Sequence, residues 1–207
     1  MNTPPPTQSD NSLLLQLQQH VRHQTIRKVR QPLPEAGVLV ALTDDTHNPE
    51  IILTRRGSRL SSHAGEVAFP GGKRDPEDVS IMATALRESH EEIDLHPDEV
   101  DIIGPLCEVI SKHGYRVRPF LGIIPADAQL TPNPDELESL FRVPLHFLLD
   151  HRQMQQERLV YEKGTIHMPR YDYQGYVIWG LTAFILVEML NQGLNANLPL
   201  QSRPEIT

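Results

Sequence analysis

Apolar residues fall in short runs along most of the chain, and their spacing changes near residue 80. Residues 37–42 (GVLVAL) and 50–54 (EIILT) are apolar runs on either side of a turn cluster at 44–49, and they predict two strands joined by a loop. Residues 66–69 (EVAF) predict a brief strand leading into a Gly71-Gly72 turn. Met82, Ala85, Leu86 and Ile93 then recur at helical spacing, which predicts a helix ending at about Ile93. Its start is open between Asp75, with Pro76 at the first helical position, Asp78 and Ser80. Asp94 stands where a C-terminal glycine is usual; aspartate tolerates the left-handed conformation better than most residues. Residues 100–110 and 117–124 read as strands, the first broken at Gly104-Pro105, with His113-Gly114-Tyr115 in the loop between them. Residues 135–141 look like a helical turn ending at Val143-Pro144, and 145–149 like a short helix. A hairpin is expected between 160–162 and 166–168 across Lys163-Gly164, extended by 171–173 and 177–178. Residues 179–190 (WGLTAFILVEML) predict an apolar helix closing the fold, too short to span a bilayer.

At the N-terminal end, Leu13, Leu14, Leu17 and Val21 predict an amphipathic helix over 12–23, packed on the domain or on a partner. The expected organisation is a disordered tail at 1–11, the helix and a linker at 12–34, one folded domain at 35–190 and a flexible tail at 191–207.

With 39% hydrophobic residues among 207, a sizeable core can form. The net charge of −8 argues against a general nucleic-acid binder or an anionic-membrane binder. It does not argue against a phosphorylated substrate, because a bound cation reverses the local field. Cys107 is the single cysteine, so there is no internal disulfide framework; it lies in an apolar stretch and reads as a buried, inert thiol. With no signal-peptide pattern and no membrane-length apolar run, the sequence-level expectation is a cytoplasmic protein.

The densest chemistry is Arg87-Glu88-Ser89-His90-Glu91-Glu92. On a helix, Glu88 and Glu92 lie roughly 40° apart around the axis and about 6 Å apart along it. Like charges at that spacing repel, so helix stability alone does not call for them, whereas a hard divalent cation does. Upstream, residues 55–65 (RRGSRLSSHAG) form a basic, glycine-bearing loop that can wrap a phosphorylated ligand or serve as a plain surface connection.

Taken in order, the Gly-Gly segment, the apolar helix face and the R-E-x-x-E-E run resemble the Nudix box, G-x5-E-x7-R-E-U-x-E-E-x-G-U, where U is a bulky aliphatic residue. Arg87, Glu88, Glu91, Glu92 and Leu95 match; Asp78 stands for the first glutamate, eight residues rather than seven precede Arg87, Ser89 replaces the aliphatic and Asp94 the glycine. Leu53 to Gly72 resembles the signature of the coenzyme A pyrophosphatase branch through Thr54, Arg56, Gly65, Val67, Ala68 and Phe69-Pro70-Gly71-Gly72. Gly57 and Ser61 depart from it. Asn133-Pro134-Asp135-Glu136 and Ile178-Trp179-Gly180-Leu181-Thr182-Ala183 are similar to the same branch.

The resemblance implies an α/β class, the Nudix fold, an α/β/α sandwich around a mixed β-sheet. It also implies hydrolysis of a diphosphate with Mg2+ or Mn2+, held by Glu88, Glu91, Glu92 and the Gly72 carbonyl. Glu92 and Glu88 are the nearest candidates for taking the water's proton, with Glu136 as a further one. Arg87 is expected not to touch substrate but to brace the loop through an ion pair to Asp78 or Asp75. Arg55, Arg56 and Arg59, with Gly71 and Gly72, are the expected substrate contacts, the arginines meeting phosphates that include the 3′-phosphate of coenzyme A. His63 and His113 are weaker candidates for ligand contact. The substrate expected is a nucleoside diphosphate derivative of the coenzyme A class, with no nucleic-acid or membrane partner and with monomer and homodimer both open. Three functions follow: a coenzyme A or acyl-CoA diphosphatase giving 3′,5′-ADP and (acyl-)4′-phosphopantetheine, a Nudix hydrolase of ADP-ribose or a dinucleotide, and a non-catalytic Nudix-fold binding module. The last would be expected to have lost box carboxylates. Gly71-Gly72 fits neither a Rossmann nor a P-loop pattern.

Overall fold

The computed structural model describes residues 11–57, 65–161 and 164–201. Arg59, Ser61, His63, residues 1–10, residues 162–163 of the expected hairpin and residues 202–207 of the expected C-terminal tail lie outside these residues. In chain order the elements are α1 (Asn11–His23), β1 (Glu35–Thr43), β2 (Glu50–Arg56), β3 (Val67–Ala68), β4 (Gly71–Lys73), α2 (Ile81–Ile93), β5 (Asp101–Pro105), β6 (Val109–Ile110), β7 (Arg116–Ile124), β8 (Leu137–Pro144), α3 (Leu145–Leu149), β9 (Met154–Tyr161), β10 (Gly164–Tyr173), β11 (Tyr176–Trp179) and α4 (Gly180–Leu194).

The apolar run 37–42 becomes the middle of the main sheet. β1 pairs in parallel with β7 from Glu35↔Arg116 to Thr43↔Ile124, and antiparallel with β2 at Leu42↔Ile51. A parallel pair needs a long crossover, and the chain between β1 and β7 supplies it, carrying α2 on the way. The sheet is mixed, with β3-β2-β1-β7-β5 in order and β8 on the other side of β2.

Alternation sorts the side chains of β1 to two faces. Leu39 and Ala41 join Ile52, Ile93, Leu95 and Ile124 beneath α2. Val40 and Leu42 join Ile51, Leu53, Leu121 and the apolar side of α4 on the opposite face. α1 packs on α4 there, with the Leu17 side chain against Gly193. Helices thus cover both faces of a mixed sheet, an α/β/α sandwich, and the three-stranded sheet β11-β10-β9 is added on the α4 side.

Several sequence expectations change. Residues 137–144 are strand β8 rather than a helical turn: Leu137, Phe141 and Val143 are buried, and Leu53↔Phe141 and Ile51↔Val143 pair across β2. That period-2 pattern was obscured by Glu138, which sits at a register shift opposite Arg55 and Arg56. The break between β5 and β6 falls at 106–108, while Gly104 and Pro105 stay in β5 and pair with β7. Gly71-Gly72 is not a free turn but strand β4, paired with β1 at Val38↔Gly71 and Gly37↔Gly72. Of the stretch expected to be a flexible tail, the described part after α4 folds back: Leu198 is buried, and its N–H donates to Asn191 Oδ1 at 2.7 Å. The linker after α1 is pinned as well, because the Val29 N–H donates to the buried Glu108 carboxylate at 2.7 Å and Arg27 pairs with Glu188 at 2.7 Å. Among the described residues no helix is long and apolar enough to cross a membrane.

Candidate active site

The site lies where the main sheet forks. β3 pairs with the end of β2 and β4 with the start of β1, so the backbone between them turns through Phe69-Pro70 and meets α2. α2 begins at Ser80, whose Oγ accepts the Ala83 N–H at 3.1 Å; of the three possible N-caps, serine is the one used. It ends at Asp94, which adopts the left-handed conformation (φ 56°, ψ 29°) and donates its N–H to the His90 carbonyl.

Two glycines set how closely the helix and its loop approach the sheet. A Cβ on Gly37 would lie 2.4 Å from the Ile81 carbonyl oxygen, so α2 rests on bare backbone. Gly71 has φ of 148°, and a Cβ there would lie 2.4 Å from the Gly37 carbonyl oxygen. Ser89, in place of the bulky aliphatic, is fully buried and donates to the Ala85 carbonyl at 2.7 Å.

Glu92 points into this fork. Its side chain is 3% exposed, Oε2 accepts the Gly71 N–H at 3.0 Å, and Oε1 lies 3.4 Å from Arg56 Nη1. Burial pushes its pKa up to about 7, against the pull of Gly71 and Arg56 and with help from the charges of Glu88 and Glu136. Glu88, 18% exposed, is also raised, chiefly by burial, while Arg87 draws it down. Its carboxylate fills the space a Gly72 side chain would need: a Cβ on Gly72 would lie 2.3 Å from Glu88 Oε2. Glu91 is the most open of the three at 51% exposed.

Arg87 organises the other side. Its Nε and Nη2 donate to the two Asp78 carboxylate oxygens at 3.0 and 3.1 Å, a fork matched to a carboxylate. Nη1 reaches both Glu88 and Glu91 at 2.9 Å, and Nη2 donates to the Lys73 carbonyl at 3.3 Å. Asp75 is more distant, 3.6 Å from Nη2. The Arg87 guanidinium holds the Asp78 carboxyl well below the usual range, with the Asp75 N–H and the Thr84 hydroxyl adding to it. Among the described residues, no three Asp, Glu, His or Cys side chains are gathered into a cluster that could hold a metal ion. The carboxylate oxygens of the helix face are turned instead to Arg87, Arg56 and the Gly71 N–H.

Of the sequence candidates, Glu88, Glu92, Arg87, Arg56, Gly71 and Gly72 come together, and Glu91 flanks them. Glu136 stands close enough for its charge to act on Glu88 and Glu92. Arg55 does not join them. It alternates with Arg56 along β2 and instead lies 3.5 Å from Glu138 on β8. Sequence reasoning missed two supports. One is Gly37. The other is the 131–133 segment: the Thr131 N–H donates to the Ile93 carbonyl at 3.0 Å and the Asn133 N–H to that of Glu92 at 2.8 Å, taking up carbonyls that a helix end leaves open. The Asn133 signal was visible as part of a motif, but not its partner.

A family model described as the NUDIX domain matches residues 33–163. A Photorhabdus laumondii protein named as an uncharacterized Nudix hydrolase, NudL, is 42% identical over 153 residues, covering 70% of this chain and 77% of its own. A Yersinia pestis protein of the same name is 39% identical over 145 residues, covering 70% and 72%. Among solved structures, a Nudix hydrolase from M. smegmatis, RenU, superimposes with a TM-score of 0.51 at 17% identity, covering 82% of this chain and 90% of that one, and shares the fold.

Proposed function

The chain belongs to the Nudix hydrolase family, and from that premise we propose that it hydrolyses the diphosphate of coenzyme A or an acyl-CoA with Mg2+ or Mn2+. One water adds across a P–O–P bridge, one P–O bond breaks, and 3′,5′-ADP and (acyl-)4′-phosphopantetheine leave with release of a proton. The observation that carries this reading is the meeting of two motifs. Arg56, from the coenzyme A-type signature, lies 3.4 Å from Glu92 of the box helix.

Glu88, Glu91, Glu92 and the Gly72 carbonyl are the groups that would hold the cation, the carboxylates turning to it from their contacts with Arg87 and Arg56. The donor set suits a hard divalent ion, being all oxygen, and burial raises Glu88 and Glu92, a cost that a bound cation offsets. When bound, the ion neutralises the diphosphate oxygens and acidifies a water. The chain's own residues do the rest. The Gly71 N–H fixes Glu92 Oε2 and leaves Oε1 beside Arg56. Arg56 then has a guanidinium edge for the diphosphate, and its Nε is buried with no hydrogen-bond partner among the described residues. Asp78 holds Arg87 in place, so that Arg87 aligns the helix face without taking part in the reaction. Glu92 and Glu88 are placed to take the proton from water.

The test is a panel of coenzyme A, acyl-CoA, ADP-ribose and dinucleotides with each metal, products resolved by mass. Release of 3′,5′-ADP from coenzyme A as the preferred reaction supports the proposal; preference for ADP-ribose overturns it.

A further inference from the structure

A second feature of the fold lies immediately beside the box. An open groove of about 670 Å³ runs along the end of β4 and the starts of β1 and β7, walled on one side by the 32–34 segment. Its polar lining is Lys73, Arg74, Arg116, Glu35 and Tyr115, so three cations face one carboxylate in a chain whose net charge is −8. Arg74 Nη1 lies 2.7 Å from Glu35, and Arg116 pairs with the same carboxylate. Burial opposes the Glu35 charge, but the two guanidiniums outweigh it and hold the Glu35 pKa below its ordinary value. Glu35 therefore fixes two guanidiniums side by side without neutralising both. Arg74 Nη2 also donates to the Asp78 carbonyl at 3.2 Å, and Arg116 Nη1 to that of Val29 at 3.4 Å, so neither is free to swing away.

Lys73 is different. It has no ion-pair partner among the described residues; its ammonium rests 5.3 Å from the centre of the Tyr115 ring, a weak contact at an exposed site. It also follows Gly72 directly, so its Cα is about 3.8 Å from that of the residue whose Cα the Glu88 carboxylate packs against. Alternation along β4 turns the Lys73 side chain away from Glu88, toward the groove.

We propose that this groove is a second anion subsite, which takes a phosphate monoester carried on the same molecule as the diphosphate. This rests on the diphosphatase reading above and deepens it: Arg56 serves the diphosphate, while Lys73, backed by Arg74 and Arg116, serves the 3′-phosphate. A phosphate monoester carries close to two negative charges and three acceptor oxygens, matching the uncompensated charge of the groove. Lys73 supplies the mobile point charge and the two arginines a fixed wall.

Equilibrium titration calorimetry of the full chain with 3′,5′-ADP and 5′-AMP tests this without turnover. The wild type is expected to bind 3′,5′-ADP about tenfold or more tightly than 5′-AMP, from one added charge-assisted contact. Lys73→Met removes most of that preference and changes 5′-AMP binding less than about twofold, and Lys73→Arg restores it. Lys73 side-chain variants keep the backbone carbonyl that Arg87 uses, and a melt at matched pH checks the fold. No preference in the wild type, or a preference unchanged in Lys73→Met, overturns the subsite. A wild type that retains the Lys73-dependent preference but does not hydrolyse coenzyme A overturns the diphosphatase reading alone.

Discussion

Asp78→Asn takes the charge from the carboxylate that holds Arg87, while keeping its size. In the wild type Arg87 makes two charge-assisted bonds to Asp78, at 3.0 and 3.1 Å. Bonds to charged groups contribute about 1.5–3 kcal/mol each. Arg87 is 28% exposed and keeps Glu88 and Glu91 as partners at 2.9 Å, so solvent screening and the remaining pairs reduce the loss to about 2 kcal/mol. For a domain of this size that is a fall in Tm of about 4–8 °C at pH 7. The pH dependence has a definite sign. Asp78 has a folded pKa depressed by Arg87, so its stabilisation is present above the unfolded value of about 4 and is lost as pH falls through the lower folded value. The wild-type advantage should therefore shrink below about pH 4. Thermal melts followed by circular dichroism at pH 7 and pH 3 measure both effects. Released from Asp78, Arg87 competes more strongly for Glu88 and Glu91, so the Mg2+ concentration for half-maximal activity rises as well. Equal Tm values at pH 7, or a gap that stays constant into acid, would refute the brace.

Three further perturbations separate the roles of neighbouring residues. Gly72→Ala places a methyl group on the Glu88 carboxylate, the far end of a flexible side chain, so Glu88 moves and kcat falls by about 10²-fold while Tm changes by less than about 2 °C; steady-state kinetics and a melt check this. Gly37→Ala instead meets the Ile81 carbonyl of α2, which cannot yield alone, so stability in urea falls by about 1–3 kcal/mol. Glu92→Gln abolishes turnover but raises Tm by a few degrees at pH 8 in EDTA. The Glu92 folded pKa is raised by burial to about 7, so its charge penalty is absent below the unfolded pKa of about 4.5, grows with pH and is full above about 7. A lower Tm for this variant at pH 8 contradicts the burial argument.

Much of the frame was legible because period and burial agree. GVLVAL alternates between two cores, and the box helix shows its apolar spacing and its carboxylate run together. Where the pattern was broken by polar residues, it misled: β8 carries Glu138 at a register shift and read as a helical turn. The pairing of Arg87 with Asp78 was anticipated only as one of two options, since spacing alone does not separate Asp78 from Asp75; the distances do, at 3.0 and 3.6 Å. Arg56 was set apart from Arg55 by its match to the signature, and the structure gives the physical reason: successive strand residues face opposite sides, so of these two Arg56 approaches Glu92 and Arg55 lies by Glu138. Gly37 gave no local signal, because the reason for it is the backbone of a helix more than forty residues away. The groove at Lys73 was invisible for the same reason: its lining comes from three separate stretches brought together by the β1–β7 and β1–β4 ladders.

The most direct measurement is the fate of coenzyme A itself, incubated with the full chain and Mg2+ or Mn2+ and resolved by mass spectrometry. The account predicts metal-dependent appearance of 3′,5′-ADP and 4′-phosphopantetheine in equal amounts, lost in Glu92→Gln and with kcat/KM above that for ADP-ribose. Intact coenzyme A alongside efficient cleavage of ADP-ribose would contradict it.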